Sequence, residues 1–215
     1  MARGVRLVSF DCYGTLFDWL YGIKGVLTYV TGEDVLDRFF RCEKEELRTH
    51  EPYSRILCRC LRRILYEGGR RLVEELGKVY CDALVLAFAK SPPFPDTLIG
   101  LELLRRMGVE TAIISNTERR LIEITLAGLR HLFDHVVTVE DTGRYKPDPE
   151  AFLRAFAIMG VDPEEVLHVS SYPYYDLEPA RRLSVKTLLV NRYGYEWEPS
   201  VDSLEEVARF IKSVE

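Results

Sequence analysis

Two acids, one lysine and several short hydroxyl and amide side chains stand at matching places in the sequence, each just after a short apolar run. Asp11 follows the run at 5–10 and opens the turn Asp11-Cys12-Tyr13-Gly14-Thr15. Ser115-Asn116-Thr117 follows 109–114, Lys146 lies beyond 136–139, and Ser170-Ser171 and then Asp176 follow 166–169. A carboxylate at a strand end beside a glycine turn can be a nucleophile toward a substrate held among backbone N–H groups, or it can simply cap the turn. Pro147 and Pro149 stiffen the loop that carries Lys146. Between two carboxylates that lysine would keep both ionised and neutralise an anionic substrate; alone it reads as a solvated loop residue. Ser115 and Asn116 offer short donors. Asp176 is either part of the chemistry or a favourable negative charge at a helix start. His168 reads as a core residue of an apolar strand.

The surrounding elements must bring these groups together. Residues 19–90 carry helical periodicity, with Val35, Phe39 and Leu47 on one stripe and Ile56, Leu57, Leu61, Ile64 and Leu65 on another. Breaks fall at Glu51-Pro52 and Glu67-Gly68-Gly69, and Ser91-Pro92-Pro93-Phe94-Pro95 reads as a linker. Beyond it, helices expected over 96–107, 118–126, 149–159, 175–183 and from 202 alternate with strands over 109–114, 136–139, 166–169 and 187–190. Strands apolar on both faces, alternating with helices, predict an α/β fold built on a covered parallel sheet. Residues 1–15 and 92–215 would form this core, and 16–91 an inserted all-helical cap subdomain. Ligands of such sheets bind beyond the carboxyl ends of the strands, where all the candidate residues fall.

A net charge of -5 with interspersed signs argues against nucleic acid as the partner. The longest apolar run, 83–89, is far shorter than the ~20 residues of a membrane span, and the N-terminus has no secretory pattern. The expectation is a cytoplasmic protein, monomer or homodimer, acting on a small molecule. Arginine outnumbers lysine 22 to 7, glutamine is absent and the only asparagines are Asn116 and Asn191, a composition in keeping with a hot-environment source. The five cysteines form no C-x-x-C pair. The four between 42 and 81 are expected as buried thiols of a helical core, with a disulfide as the alternative. Arg62-Arg63 and Arg70-Arg71 read as a solvated face.

Four segments together resemble the motifs of the haloacid dehalogenase-like hydrolase superfamily: D-C-Y-G-T-L-F-D at 11–18, I-I-S-N-T at 113–117, Y-K-P-D-P at 145–149, and 169–176, in order and at fitting spacing. The resemblance implies a Rossmann-like core, a cap where the helical insert falls, Asp11 as nucleophile, and Thr15, Ser115, Asn116 and Lys146 holding substrate. Phosphatases of the superfamily carry a second acid two residues after the nucleophile. Tyr13 stands there, and a phenol with a pKa near 10 is a poor general acid at neutral pH. The first acid of the fourth motif, normally a Mg²⁺ ligand, is Ser171, whereas Mg²⁺ favours hard, charged oxygens. Asp11, Asp176 and Lys146 leave one net negative charge, which repels a phosphate dianion more than a monocarboxylate. Halide, unlike an alkoxide, leaves without protonation.

The nucleophile loop is similar to that of the type II 2-haloacid dehalogenases. By that resemblance the chain is a hydrolase without metal or other cofactor, in which Asp11 displaces halide from C2 of a small 2-haloacid. Water then opens the resulting ester, positioned or activated by Lys146 and Asp176. The anionic substrate would contact Tyr13, Thr15, Ser115, Asn116, Ser171 and the cap arginine Arg41. The chain departs from these dehalogenases in lacking their Ser-Ser-Asn, in a fourth loop of phosphatase length, and in carrying Phe152 where they have a tyrosine. Two alternatives follow. One is a Mg²⁺-dependent phosphatase with Asp11 and Asp176 as ligands. The other is a catalytically weak metabolite-binding protein, to which the aromatic run Tyr172-Pro173-Tyr174-Tyr175 would suit.

Overall fold

The structure, a computed structural model, describes residues 4–49, 51–69 and 74–214, so the Arg70-Arg71 pair lies outside the described residues. In chain order, β1 (Leu7–Phe10) leads into four helices, α1 (Trp19–Thr31), α2 (Leu36–Glu46), α3 (Tyr53–Glu67) and α4 (Glu74–Ala89). Then come α5 (Thr97–Arg106), β2 (Glu110–Ser115), α6 (Arg119–Thr125), β3 (His135–Thr138), α7 (Val139–Thr142), α8 (Pro149–Met159) and β4 (Val166–Ser170). The chain closes with α9 (Glu178–Arg182), β5 (Lys186–Val190), β6 (Ser200–Val201) and α10 (Leu204–Val214). It divides into two compact units, one of residues 1–18, 93–119 and 126–215, the other of 19–92 and 120–125. The turn through Asp18 thus belongs with the sheet, and most of α6 groups with the helices.

The first unit is a six-stranded parallel sheet in the order β3-β2-β1-β4-β5-β6. β1 and β4 are buried along their whole length, as the central strands of a sheet covered on both faces are. The chain runs outward from β1 through β2 to β3, then starts again at β4 on the other side of β1. That makes the carboxyl ends of β1 and β4 the topological switch point, where open sheets bind ligands. Register across it is direct: Leu7 faces Val166, Ser9 faces His168 and Phe10 faces Val169. Against the sheet, α8 buries Phe152, Ala155, Phe156 and Met159 beside Leu7, Ile114, Val137 and Val166. Each large side chain so buried is worth about 1.5–3 kcal/mol. Both ends of α8 are written in the sequence. The Asp148 carboxylate accepts from the Glu150 N–H and Pro149 fills the first turn, while Gly160 ends the helix at φ +67°.

Three local expectations change. The strand expected over 136–139 ends at Thr138, because the Asp141 carboxylate accepts from both the N–H and the hydroxyl of Thr138 and starts α7 at Val139. The helix expected over 175–183 is α9 preceded by a single wide turn of π-helical form, Pro173–Leu177. β6 was not expected at all: two residues just after Glu198-Pro199 carry no apolar run to announce a strand.

The second unit is helical. α3 buries Tyr53, Ile56, Leu57, Cys60, Leu61, Ile64 and Leu65 on one face, a stripe at the three- and four-residue spacing of an amphipathic helix. Trp19, Phe40 and Phe88 meet edge to face. Arg63 pairs with Glu45 and Glu67, Arg59 with Glu46 and Glu51, and Arg38 with Glu33 and Glu67. Such pairs contribute little singly and more as a network. The cysteines divide in a way the sequence left open: Cys42 of α2 and Cys60 of α3 form a disulfide, while Cys12 and Cys81 are buried thiols and Cys58 is half-buried. No helix among the described residues is long and apolar enough to cross a membrane.

Candidate active site

Asp11 is the first residue beyond β1, its N–H still bonded to the Val169 carbonyl, so its backbone extends the strand. The chain then turns sharply: Leu16 N–H and Phe17 N–H both return to the Cys12 carbonyl, and Gly14 takes φ +88°. This turn points the Thr15 hydroxyl back at the Asp11 carboxylate, which accepts from it at Oδ2, 3.1 Å away. The same Thr15 oxygen accepts the Ser171 N–H at 3.0 Å, tying the loop after β1 to the loop after β4. Arg192 anchors the turn from outside, bonded to Asp96 at 2.8 Å and reaching the Thr15 carbonyl.

Lys146 lies between the two acids. Its Nζ is 2.8 Å from Asp11 Oδ1 and 2.5 Å from Asp176 Oδ1, with a third donor bond to the Ile114 carbonyl at 2.9 Å. All three residues are buried. Asn116 holds the lysine in place by the backbone: its Oδ1 accepts the Lys146 N–H at 2.7 Å and its Nδ2 donates to the Lys146 carbonyl at 2.9 Å. Asn116, expected to contact substrate, is thus engaged in fixing the lysine loop.

Asp176 sits on the wide turn after β4 and is held by three side chains. Lys146 and His168 Nε2, the latter 3.2 Å away, meet Oδ1, and the Ser170 hydroxyl donates to Oδ2 at 3.1 Å. The sequence reading missed His168 and Ser170 in this role. They share one face of β4, two residues apart, and a polar pair on an otherwise apolar strand was the available signal. Ser9, opposite His168 on β1, completes the set, its Oγ 2.8 Å from His168 Nδ1.

The remaining residues expected to contact substrate are placed as follows. Ser171, at the place of the missing acid, donates its hydroxyl to the Val190 carbonyl at 2.6 Å and so fastens the loop to β5. Ser115 is buried and accepts the Thr117 N–H. Tyr13 is buried within the turn and bridges to Phe17. Arg41 belongs to the helical unit, on α2, with its side chain exposed. Of the aromatic run, Tyr172 packs beside Gly14 and stacks on Tyr193 with centroids 5.5 Å apart.

Burial raises the Asp11 carboxyl above its ordinary range, opposed by Lys146 and reinforced by the negative charge of Asp176. At Asp176 burial pushes upward too, but Lys146 and the hydrogen bond from His168 prevail and its pKa falls below the ordinary value. Burial works against the ammonium, yet two carboxylates in contact carry the Lys146 pKa upward. The result is a charged triad with two negative groups and one positive, shut away from water.

A divalent metal does not fit this donor set. Mg²⁺ needs near-octahedral oxygen coordination. Here the Lys146 ammonium already stands between the two carboxylates, and the Ser171 hydroxyl is turned to Val190. No group of three His, Cys, Asp or Glu side chains suited to a metal occurs among the described residues.

The chain is 28% identical over 216 residues to the (S)-2-haloacid dehalogenase of Pseudomonas sp. (strain YL), covering 90% of this chain and 86% of that protein. It is 29% identical over 181 residues to a glyceraldehyde 3-phosphate phosphatase of Methanopyrus kandleri, covering 83% and 75%. Among solved structures, an L-2-haloacid dehalogenase superposes with a TM-score of 0.84 at 25% identity, over 97% of this chain and 99% of that one. Residues 5–183 match the sequence profile of the haloacid dehalogenase-like hydrolases. With that match spanning β1 through β4, the helical insert and every residue of the charged triad, the chain belongs to the haloacid dehalogenase-like hydrolase family.

Proposed function

We propose that the chain hydrolyses small 2-haloacids through a covalent ester on Asp11, without a metal ion. An Asp11 carboxylate oxygen attacks C2 of the substrate, the new O–C2 bond forms, and the carbon–halogen pair leaves as halide with inversion at C2. Water then adds to Cγ of Asp11 and gives a proton to Asp176. The Cγ–O bond to the substrate breaks, and the departing alkoxide takes that proton to become the 2-hydroxy acid. The proton left on Asp11 goes to solvent, so one water yields one hydroxy acid, one halide and one proton.

The observation that carries this reading is the Lys146 ammonium in contact with both carboxylates. It keeps Asp11 ionised as a nucleophile in spite of burial and holds Asp176 ionised to receive a proton. Tyr13 at the place of a second acid supports the same reading, since halide needs no protonation to leave. Similarity to 2-haloacid dehalogenases over most of both chains lends further weight. In this proposal Thr15 orients Asp11 and Asn116 positions Lys146.

The test is to follow halide release from each enantiomer of 2-chloropropionate alongside phosphate release from a generic phosphate ester, with Mg²⁺ and with chelator. Halide release indifferent to chelator is the expected outcome. Phosphate release that chelator abolishes would overturn it in favour of a phosphatase, and silence in both assays would reject the haloacid substrate.

A further inference from the structure

His168 is a titratable side chain in contact with the charged triad to which the proposed mechanism gives no task. It lies in the middle of β4, wholly buried, edge-on to the Phe152 ring at 5.1 Å, with both ring nitrogens engaged. Nε2 is 3.2 Å from Asp176 Oδ1 and Nδ1 is 2.8 Å from the Ser9 hydroxyl. A carboxylate can only accept, so Nε2 carries the hydrogen of the first bond. In the neutral ring Nδ1 is then the acceptor for the Ser9 hydroxyl, whose position is set by the register that puts Ser9 directly across from His168. Burying a serine and a histidine in a sheet of Val, Leu and Phe is costly unless each polar atom finds a partner. Here the partners form a line that runs from β1 through β4 and ends on the acid.

The acid needs such a line. Asp176 stands on a single wide turn, Pro173–Leu177, and the Asp176 N–H returns to the Tyr172 carbonyl at 3.1 Å. A turn this short fixes the backbone but leaves the carboxylate free to rotate about χ1 and χ2. Lys146 alone would not choose between rotations, because it attracts either oxygen equally. His168 on Oδ1 and Ser170 on Oδ2 distinguish the two oxygens and pin the plane of the group.

We infer that His168, backed by Ser9, is a positioning residue that fixes the plane of the Asp176 carboxylate for the water that opens the Asp11 ester. This rests on the covalent reading proposed above. The geometry separates the two half-reactions: His168 acts through Asp176, which serves ester hydrolysis, while formation of the ester needs only Asp11 and Lys146.

The experiment compares wild type with His168→Phe, which keeps an aromatic ring against Phe152, and with His168→Gln, whose terminal amide can donate from near the Nε2 position. Halide release is followed in the burst and in steady state, with intact mass read for the ester. For His168→Phe the expected result is a burst of about one halide per chain at a rate within threefold of wild type, steady-state turnover at least tenfold slower, and an ester that accumulates. His168→Gln is expected to recover at least threefold of the lost turnover. Equal slowing of both half-reactions, or an ester as short-lived as in wild type, overturns the proposal. If His168→Phe does not fold, Ser9→Ala and His168→Gln carry the same comparison. ¹⁵N NMR of the wild-type imidazole gives a readout independent of activity. An Nε2–H tautomer that is lost or exchanges faster in Asp176→Ala is expected, and an Nδ1–H tautomer overturns the proposal. If wild type releases no halide and carries no ester while the ring shows Nε2–H, the covalent reading falls and the anchoring of Asp176 by His168 stands.

Discussion

The hydroxyl of Tyr172 fills the space that a side chain at residue 14 would need: a Cβ on Gly14 would lie 2.0 Å from it. Gly14 also sits at φ +88°. One residue therefore serves the turn that aims Thr15 at Asp11 and the close approach of the loop after β4. Gly14→Ala should cost about 1–2 kcal/mol for the backbone and about 1–3 kcal/mol for the overlap. Denaturant melts of Gly14→Ala, Tyr172→Ala and the double variant should give a coupling of about 1 kcal/mol or more, because removing the ring relieves the overlap and leaves the backbone strain. Simple additivity would show that the two loops do not depend on each other here.

Removing the cation between two buried acids should be severe. Lys146→Met leaves Asp11 and Asp176 as uncompensated charges, and breaking a buried pair costs about 3–5 kcal/mol. One of the two carboxyls should then take up a proton in the folded state, so its pKa rises. That raised pKa makes the loss greatest at pH 8 and smaller at pH 5, where the proton is already bound. Unfolding free energies at the two pH values check this, and a loss that does not change with pH would contradict it.

The pH dependence of ester formation follows from the shifts in the triad. Asp11 must be ionised to attack, and burial raises its pKa above the ordinary 3.8. The rate of the halide burst should therefore fall on the acid side at a pH above the ordinary carboxylate range. On the alkaline side it should stay level past pH 9, since contact with both carboxylates raises the Lys146 pKa above its ordinary 10.5. A loss of rate between pH 8 and 9 would mean that the ammonium is not held as described.

Glu43 supplies a test away from the site. It is half-buried on α2, bonded to the Tyr53 hydroxyl, and burial pushes its pKa up to about 7. The folded state binds this proton more tightly than the unfolded one. The stabilisation is thus complete below the unfolded value of about 4.5 and is lost as the pH rises through 7. Glu43→Gln should gain on the order of 2 kcal/mol over wild type at pH 8, and the gain should vanish by pH 4. Equal stabilities at pH 8 would show that the carboxylate is ionised there without penalty.

The disulfide between Cys42 and Cys60 closes a loop with a sequence separation of 18. Constraint of the unfolded chain by a loop of that size is worth about 3 kcal/mol. Cys42→Ser/Cys60→Ser should lower the melting temperature accordingly, and thiol titration of unreduced, denatured wild type should count three free cysteines. A count of five would mean that the bond does not form.

The alternation of apolar runs with helical stripes was enough to predict the parallel sheet, because a strand covered on both faces is mostly apolar and lacks the strict in-out alternation of a half-exposed one. The same runs located Asp11, Lys146 and Asp176, since in such sheets the residues just past the strands are the ones that reach a ligand. The start of α8 was legible too, because Pro149 cannot continue a preceding strand or helix hydrogen-bond pattern and so favours a helix start. β6 and the wide turn at Pro173–Leu177 were not legible. Two residues carry no period, and the form of that turn is set by what its side chains meet on β4.

What the sequence determined by itself was the inventory and its order: which acids and which lysine, on which strand ends, with a tyrosine and a serine where acids of a phosphatase would stand. Only the tertiary structure decided how they act on one another. Asn116 looked like a substrate contact and clamps the backbone of Lys146, Ser171 ties its loop to β5, and His168 looked like core and touches Asp176. The reason is that a hydrogen bond depends on register and direction across the sheet. Ser9 and His168 are 159 residues apart in the chain and directly opposed in space, a pairing that depends on strand order and register, which no local pattern encodes.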